Sequence, residues 1–139
     1  MWLFLNNAFL SIVAPDTKKF KVKGDVLIVR ARIKGDIERV FPKANVTSSK
    51  KTDYQFRAVV KRDAVATAIA KFILTDLDYT NFKDSIPKND GKRHSAYLQI
   101  WSVMNTRYGA KRDWLSPAQG IPIAADEPHW DWDRQHWTK

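Results

Sequence analysis

DVLIVRARI, residues 25 to 33, is the stretch that most narrows what this chain can become. Side chains along a β-strand point alternately to opposite faces, and here the alternation sorts by chemistry. Leu27, Val29, Ala31 and Ile33 make one wholly apolar face, while Val26, Ile28, Arg30 and Arg32 make the other. One side therefore belongs to a core, and the other ends in two arginines. DYQFRAVVK, residues 53 to 61, alternates again: Tyr54, Phe56, Ala58 and Val60 point one way, and Asp53, Gln55, Arg57, Val59 and Lys61 the other.

The remaining segments supply partners for these strands. MWLFLNNAFLSIVA is rich in strand formers, and Asn6-Asn7 predicts a bulge or a break between two short strands. It has no positively charged n-region and no clean cleavage site, so it reads as a strand rather than a signal peptide, and it is far too short to span a membrane. Asp36 is predicted to cap a short helix with Ile37, Val40 and Phe41 on one side, stopped by Pro42. Residues 43 to 52 read as a solvated loop. Asp63 is placed to cap a helix from 64 to about 75, where Val65, Ile69, Phe72 and Ile73 recur at helical spacing. A last helix at about 93 to 108 carries Tyr97, Trp101, Met104 and Tyr108 as one stripe. This order predicts an α+β fold over residues 1 to 110: an antiparallel sheet of three to four strands with helices packed on one face. Residues 111 to 139, with Trp114, Trp130, Trp132 and Trp137, form a Trp-rich C-terminal extension expected to dock partly on that domain.

Charge is unevenly placed. Residues 1 to 113 hold 22 of the 24 Lys and Arg against 11 acids, whereas the remainder holds two cations against four acids. A basic body attracts polyanions over long range, so nucleic acid or a nucleoprotein complex is the expected partner and no membrane is. The chain has no cysteine, which excludes disulfides and thiolate metal sites and suits a reducing cytoplasm, the expected location.

Two constellations carry candidate chemistry. The first is the face with Arg30, Arg32, Gln55, Arg57 and Lys61, joined by the Asn7, Phe9 and Ser11 side of the first strand. Guanidinium groups on adjacent strands can grip phosphates, and a nearby aromatic can stack a base. The competing reading is a solvated face, or one covered by the tail through Asp131 and Asp133. The fingerprint of an RNA-recognition motif is absent. The second constellation is a pair of related stretches, LDYTNFKDS and TDYQFRA. Functionally, Tyr79, Asn81 and Lys83 would join Arg57 around a small anion or nucleotide. Structurally, Asp78 and Asn81 form turn bonds, Tyr79 packs with its hydroxyl paired, and Phe82 and Ile86 close a helical turn onto the core. Turn chemistry favours the structural alternative.

In the tail, Trp130, Trp132 and Trp137 are candidate contact residues. His129, Asp131, Asp133 and His136 match no zinc or calcium loop, so neither metal nor cofactor is expected. There is no Gly-rich phosphate loop, HExxH, nucleophile elbow or kinase signature.

MWLF with a following Phe-x-Ser, LIVRARIKGDIERVFP, DYQFRAVV, DYTNFKDS and YLQIWSVM together resemble a family of small bacterial, plasmid and phage proteins with no established activity. Arg30, Arg32, Tyr54, Arg57, Tyr79, Asn81, Phe82, Lys83 and Trp101 stand in these pieces, and the tail beyond about 110 lies outside them. The leading expectation is a non-enzymatic protein that engages nucleic acid or a nucleoprotein complex through its Arg-rich sheet face. A second is a mobile-element inhibitor of a host defence complex, such as a CRISPR effector, acting by protein contact. A third is a small RNA-cleaving or nucleotide-processing enzyme using Tyr79, Lys83, Arg57 and His94. Oligomeric state is left open.

Overall fold

The structure, a computed structural model, describes residues 1–16, 18 and 23–108, together with the backbone of 130–131 and 136–137. The chain forms two compact units, Met1–Trp101 and Ser102–Lys139. The first holds a five-stranded antiparallel sheet made of β1 (Trp2–Phe4), β2 (Phe9–Val13), β3 (Val26–Ala31), β4 (Thr47–Ser48) and β5 (Phe56–Lys61), in the spatial order β1-β2-β3-β5-β4. Three helices accompany it: α1 (Asp36–Val40), α2 (Arg62–Lys71), which runs on into a π-helical turn at Phe72–Asp76, and α3 (Gly91–Tyr108). The expected α+β architecture is present. In the second unit the described residues are the last seven of α3 and two short paired strands, β6 (Trp130–Asp131) and β7 (His136–Trp137).

The Asn6-Asn7 break is a tight turn in which Leu5 N–H donates to Ala8 O at 2.8 Å, so MWLFLNNAFLSIV folds back as a hairpin. The fifth strand comes from the segment read as a solvated loop. Ala44 and Val46 pack against the core, and this anchors Thr47 and Ser48 opposite Arg57 and Phe56.

One face of the sheet is the core. Leu10, Ile12, Val29, Ala31 and Ala58 are buried there beneath Ile37 and Phe41 of the α1 region and Val65 of α2, with Leu3, Leu27, Phe56 and Val60 packed around them. A fully buried Leu, Ile or Val side chain stabilises by roughly 1.5–3 kcal/mol, so the apolar rows of β2, β3 and β5 hold the helices down. α1 is short because Pro42 disfavours a helical residue before it; Phe41 leaves the helix at φ −126°, ψ 76°.

Both predicted caps are corrected. At α1 the cap is Gly35, whose φ of 91° suits a residue without Cβ. Asp36 is the first helical residue and its side chain turns inward, with none of it exposed. At α2 the cap is Lys61, with no side-chain cap bond. Asp63 lies inside the first turn, accepting from Ala64 N–H at 2.7 Å. The stripe on α3 is also corrected: Tyr97 is buried, whereas Trp101, Met104 and Tyr108 are exposed.

Asp36 explains how α3 is attached. Its carboxylate accepts from the Phe9 amide at 2.9 Å, from Arg39 at 2.6 Å and from Arg93 at 2.8 and 3.2 Å. Arg93 is itself buried and also donates to Asp90 at 2.8 Å and to the Tyr97 hydroxyl at 3.3 Å. That hydroxyl lies 3.1 Å from the carbonyls of both Leu5 and Ala8 in the hairpin turn. Burial works to lower the proton affinity of the Arg93 guanidinium, but its bonds to Asp36, Tyr97 and Asp90 outweigh that and raise it. Burial raises the Tyr97 phenol above its ordinary value, with Arg93 opposing.

Removing one partner of a buried ion pair strands the other charge and costs about 3–5 kcal/mol. Asp36→Leu is therefore expected to lower the unfolding free energy, measured by urea denaturation, by that amount, and the double variant Asp36→Leu/Arg93→Met to recover much of it. Additive losses in the double variant would show that the pair is not coupled.

Candidate functional site

The face of the sheet opposite the α1–α2 core carries the candidate site, and the strand register lays it out. Trp2 lies opposite Ser11, Ser11 opposite Arg30, Arg30 opposite Arg57 and Arg57 opposite Thr47, so one row crosses all five strands. Directly paired residues point to the same face. On one side of this row stand Phe4 and Phe9, and on the other Val13, Ile28 and Val59. The face is a cationic row between aromatic and aliphatic neighbours.

Tyr54 builds the centre of the row, and here the sequence reading is corrected. Strand alternation extended back to residue 54 sends its ring into the core with Phe56; the ring is buried, at 4% exposure, but against Arg30 and Arg32. The strand begins only at Phe56. Before it the backbone bends, and the Tyr54 carbonyl accepts from Thr52 at 2.8 Å and from Arg57 Nε at 3.3 Å. The ring lies against the guanidinium groups of Arg30 and Arg32, each with its central carbon 4.6 Å from the ring centroid. Both groups sit within attractive range of the π-face, which aligns two side chains that would otherwise repel.

Arg30 also donates to Ser11 Oγ at 2.7 Å, while its buried Nε has no partner among the described residues. Arg57 has Asp53 at 3.9 Å, an acid that is mostly exposed. Like charges directly opposite each other in a sheet destabilise it, and Arg30 and Arg57 form such a pair. Three guanidinium groups thus converge on one patch with a single distant carboxylate in salt-bridge range among the described residues. Such an arrangement is suited to a polyanion, because guanidinium forks match phosphate oxygens bidentately.

The other predicted residues fall elsewhere. Gln55 turns to the β4 edge, with its amide nitrogen 3.5 Å from Ser48 Oγ. Lys61 is exposed at the far end of β5, opposite Val26 and about 13 Å along the strand from Arg57. Phe9 and Ser11 join the face as expected, whereas Asn7 sits in the hairpin turn, where its carbonyl accepts from Arg39 at 3.2 Å.

DYTNFKDS takes the structural form. Asn81 Oδ1 accepts from Lys83 N–H at 3.2 Å and its amide donates to Asp84 at 2.8 Å, while Ser85 and Ile86 close turns onto Phe82 and Lys83. Phe82 stacks on Tyr97 at 5.5 Å, Tyr97 meets Phe4 edge-on at 5.2 Å, and Ile86 is buried. Tyr79 leans on Phe82 at 5.9 Å, and burial, with Asp78 adding to it, raises its phenol above the ordinary value. Its expected hydroxyl partner is absent among the described residues. Lys83 lies over the ring of Trp101 at 4.5 Å. These residues line a shallow depression of about 390 Å³ with Phe4, Phe82 and Ile100. No hydrogen bond or ion pair among the described residues joins Tyr79, Lys83, Arg57 and His94.

The tail side chains of Trp130, Trp132 and Trp137, and those of His129, Asp131, Asp133 and His136, lie outside the described residues, as does the expected docking of the extension. Among the described residues there is no cluster of three metal-ligating side chains, and no helix is long and apolar enough to cross a membrane. Trp2 and Ser11 were not singled out together from sequence. Their parity relative to Arg30 depends on the hairpin register, which the Asn6-Asn7 turn fixes.

If Arg57 serves binding rather than folding, Arg57→Leu leaves stability unchanged or raises it by up to about 1 kcal/mol, since it removes a like-charge cross-strand pair. Thermal and urea unfolding of the variant check this, and a loss above about 2 kcal/mol would assign Arg57 to the fold. Comparison of the chain with protein-family models, curated proteins and solved structures gives no match, so the site rests on its own geometry.

Proposed function

We propose that the protein binds nucleic acid, free or within a nucleoprotein complex, through Arg30 and Arg57 of the row and the adjoining Arg32. The observation that carries this reading is the convergence of Arg30 and Arg32 on the Tyr54 ring, with Arg57 directly across from Arg30. A sheet gains nothing for its own folding by gathering three like charges, whereas a phosphate backbone gains a contact from each. The excess of cations over residues 1 to 113 adds long-range attraction to the same class of partner.

Binding of this kind weakens steeply with salt, by about 0.7 in log K per decade of salt for each phosphate neutralised on a single strand. Arg30→Ala plus Arg57→Ala is expected to flatten the slope by about 1.4, measured by fluorescence anisotropy across a salt series. Absence of binding to single- or double-stranded RNA and DNA at low salt would sink the reading.

A second reading, contact with a protein of a host defence complex, is favoured by the exposure of Ile100 and Trp101 beside Lys83. Exposed aromatics are frequent hot spots in protein interfaces. An inhibitor of such complexes is the form this reading takes for a small chain that resembles phage and plasmid proteins. Trp101→Ala is then expected to abolish recovery of a stoichiometric protein partner from host lysate, while the arginine variants leave it intact.

A further inference from the structure

The row on the sheet face has one member whose chemistry the phosphate contacts do not use. Trp2 heads the row, two strands from Arg30, and is 62% exposed. Its ring is not loose. It meets Phe4 at 6.3 Å and Phe9 at 5.9 Å, both at 80°, so two edge-to-face contacts fix its orientation while leaving much of its surface open. An exposed tryptophan held in one orientation is a poor element of a core and a good stacking platform, because little rotamer freedom is lost when a flat ligand arrives.

We infer that this face takes single-stranded nucleic acid, with a base stacked on Trp2 and the adjoining phosphates on Arg30 and Arg57; this rests on the phosphate-binding reading above and narrows it. The row crosses five strands, four spacings of about 4.8 Å, or about 19 Å in all, which accommodates a short run of nucleotides. Between the ring and the guanidinium groups lies Ser11, buried and already holding Arg30 at 2.7 Å, so no acidic side chain interrupts the row from Trp2 to Thr47. Duplexes keep their base faces stacked inside, and stacking on a protein aromatic requires an unpaired base. A duplex could reach the arginines but would leave Trp2 unused.

The test uses the full chain with a labelled single-stranded oligonucleotide, as RNA and as DNA, and the duplex of the same sequence, across a salt series. Trp2→Ala is expected to weaken single-strand binding about 5- to 150-fold, the range for losing one stacked base, without changing the salt slope. Trp2→Phe should retain most of the affinity. Circular dichroism melts establish that each variant is folded, and Trp2→Phe, which keeps a ring against Phe4 and Phe9, serves if the alanine variant is not. Duplex binding as tight as single-strand binding, or full affinity in Trp2→Ala while Arg30→Ala plus Arg57→Ala flattens the slope, overturns this inference and leaves phosphate binding standing. Loss of neither affinity nor slope in the arginine variant overturns both.

Discussion

The buried pair of Asp36 and Arg93 is the interaction on which the arrangement of the first unit depends. Two opposite charges removed from water are tolerated only when their hydrogen-bonding capacity is filled. Here the carboxylate takes a strand amide and two guanidinium groups, and Arg93 reaches Asp90 and Tyr97 as well. These bonds connect the start of α1, the entry to β2 and the first turns of α3. The Tyr97 hydroxyl then reaches the hairpin turn. Apolar packing of α1 and α2 does not involve this network, whereas α3 meets the sheet through it and through the Tyr97 ring against Phe4. Burial tends to raise the Asp90 carboxyl, yet the hydrogen bonds and charge of Arg93 hold it below the usual carboxylate range.

That attachment has a consequence for the opposite face. With Tyr97 held at the turn, its ring meets Phe4 on one side and Phe82 on the other, and the DYTNFKDS segment is carried to the β1 end of the sheet. Aromatic side chains therefore crowd around Phe4 and Phe9, and Trp2 is braced by those two rings without being buried. The cations stand farther along the same row. A fold-holding network on one side of the hairpin thus determines the shape of a candidate binding surface on the other.

Tyr54 is the corresponding device for the arginines. Guanidinium groups two residues apart repel, but the Tyr54 ring gives each an attractive partner at 4.6 Å. The row is thereby preorganised, which lowers the ordering cost when an anion is taken up. The like-charge pair of Arg30 and Arg57 is a local cost to the sheet, of the sort proteins retain where function requires it.

Local pattern alone determined much of this protein. Alternation in DVLIVRARI and DYQFRAVVK identified two central strands, the core residues Val29, Ala31 and Ala58, and the placement of Arg30, Arg32 and Arg57 away from that core. Asn6-Asn7 marked the hairpin, and the Asn81 turn bonds were legible in DYTNFKDS. These features depend on steric and hydrogen-bonding rules that act over a few residues. Tertiary structure decided the rest. Asp36 reads as a helix cap until Arg93, 57 residues away, arrives to claim its carboxylate. Tyr54 reads as a neighbour of Phe56 until the chain bends before the strand and sets its buried ring against Arg30 and Arg32, and Thr47–Ser48 becomes a strand because Arg57 and Phe56 present an edge beside it. A side chain with two satisfactory environments is assigned only by the fold that brings one of them close.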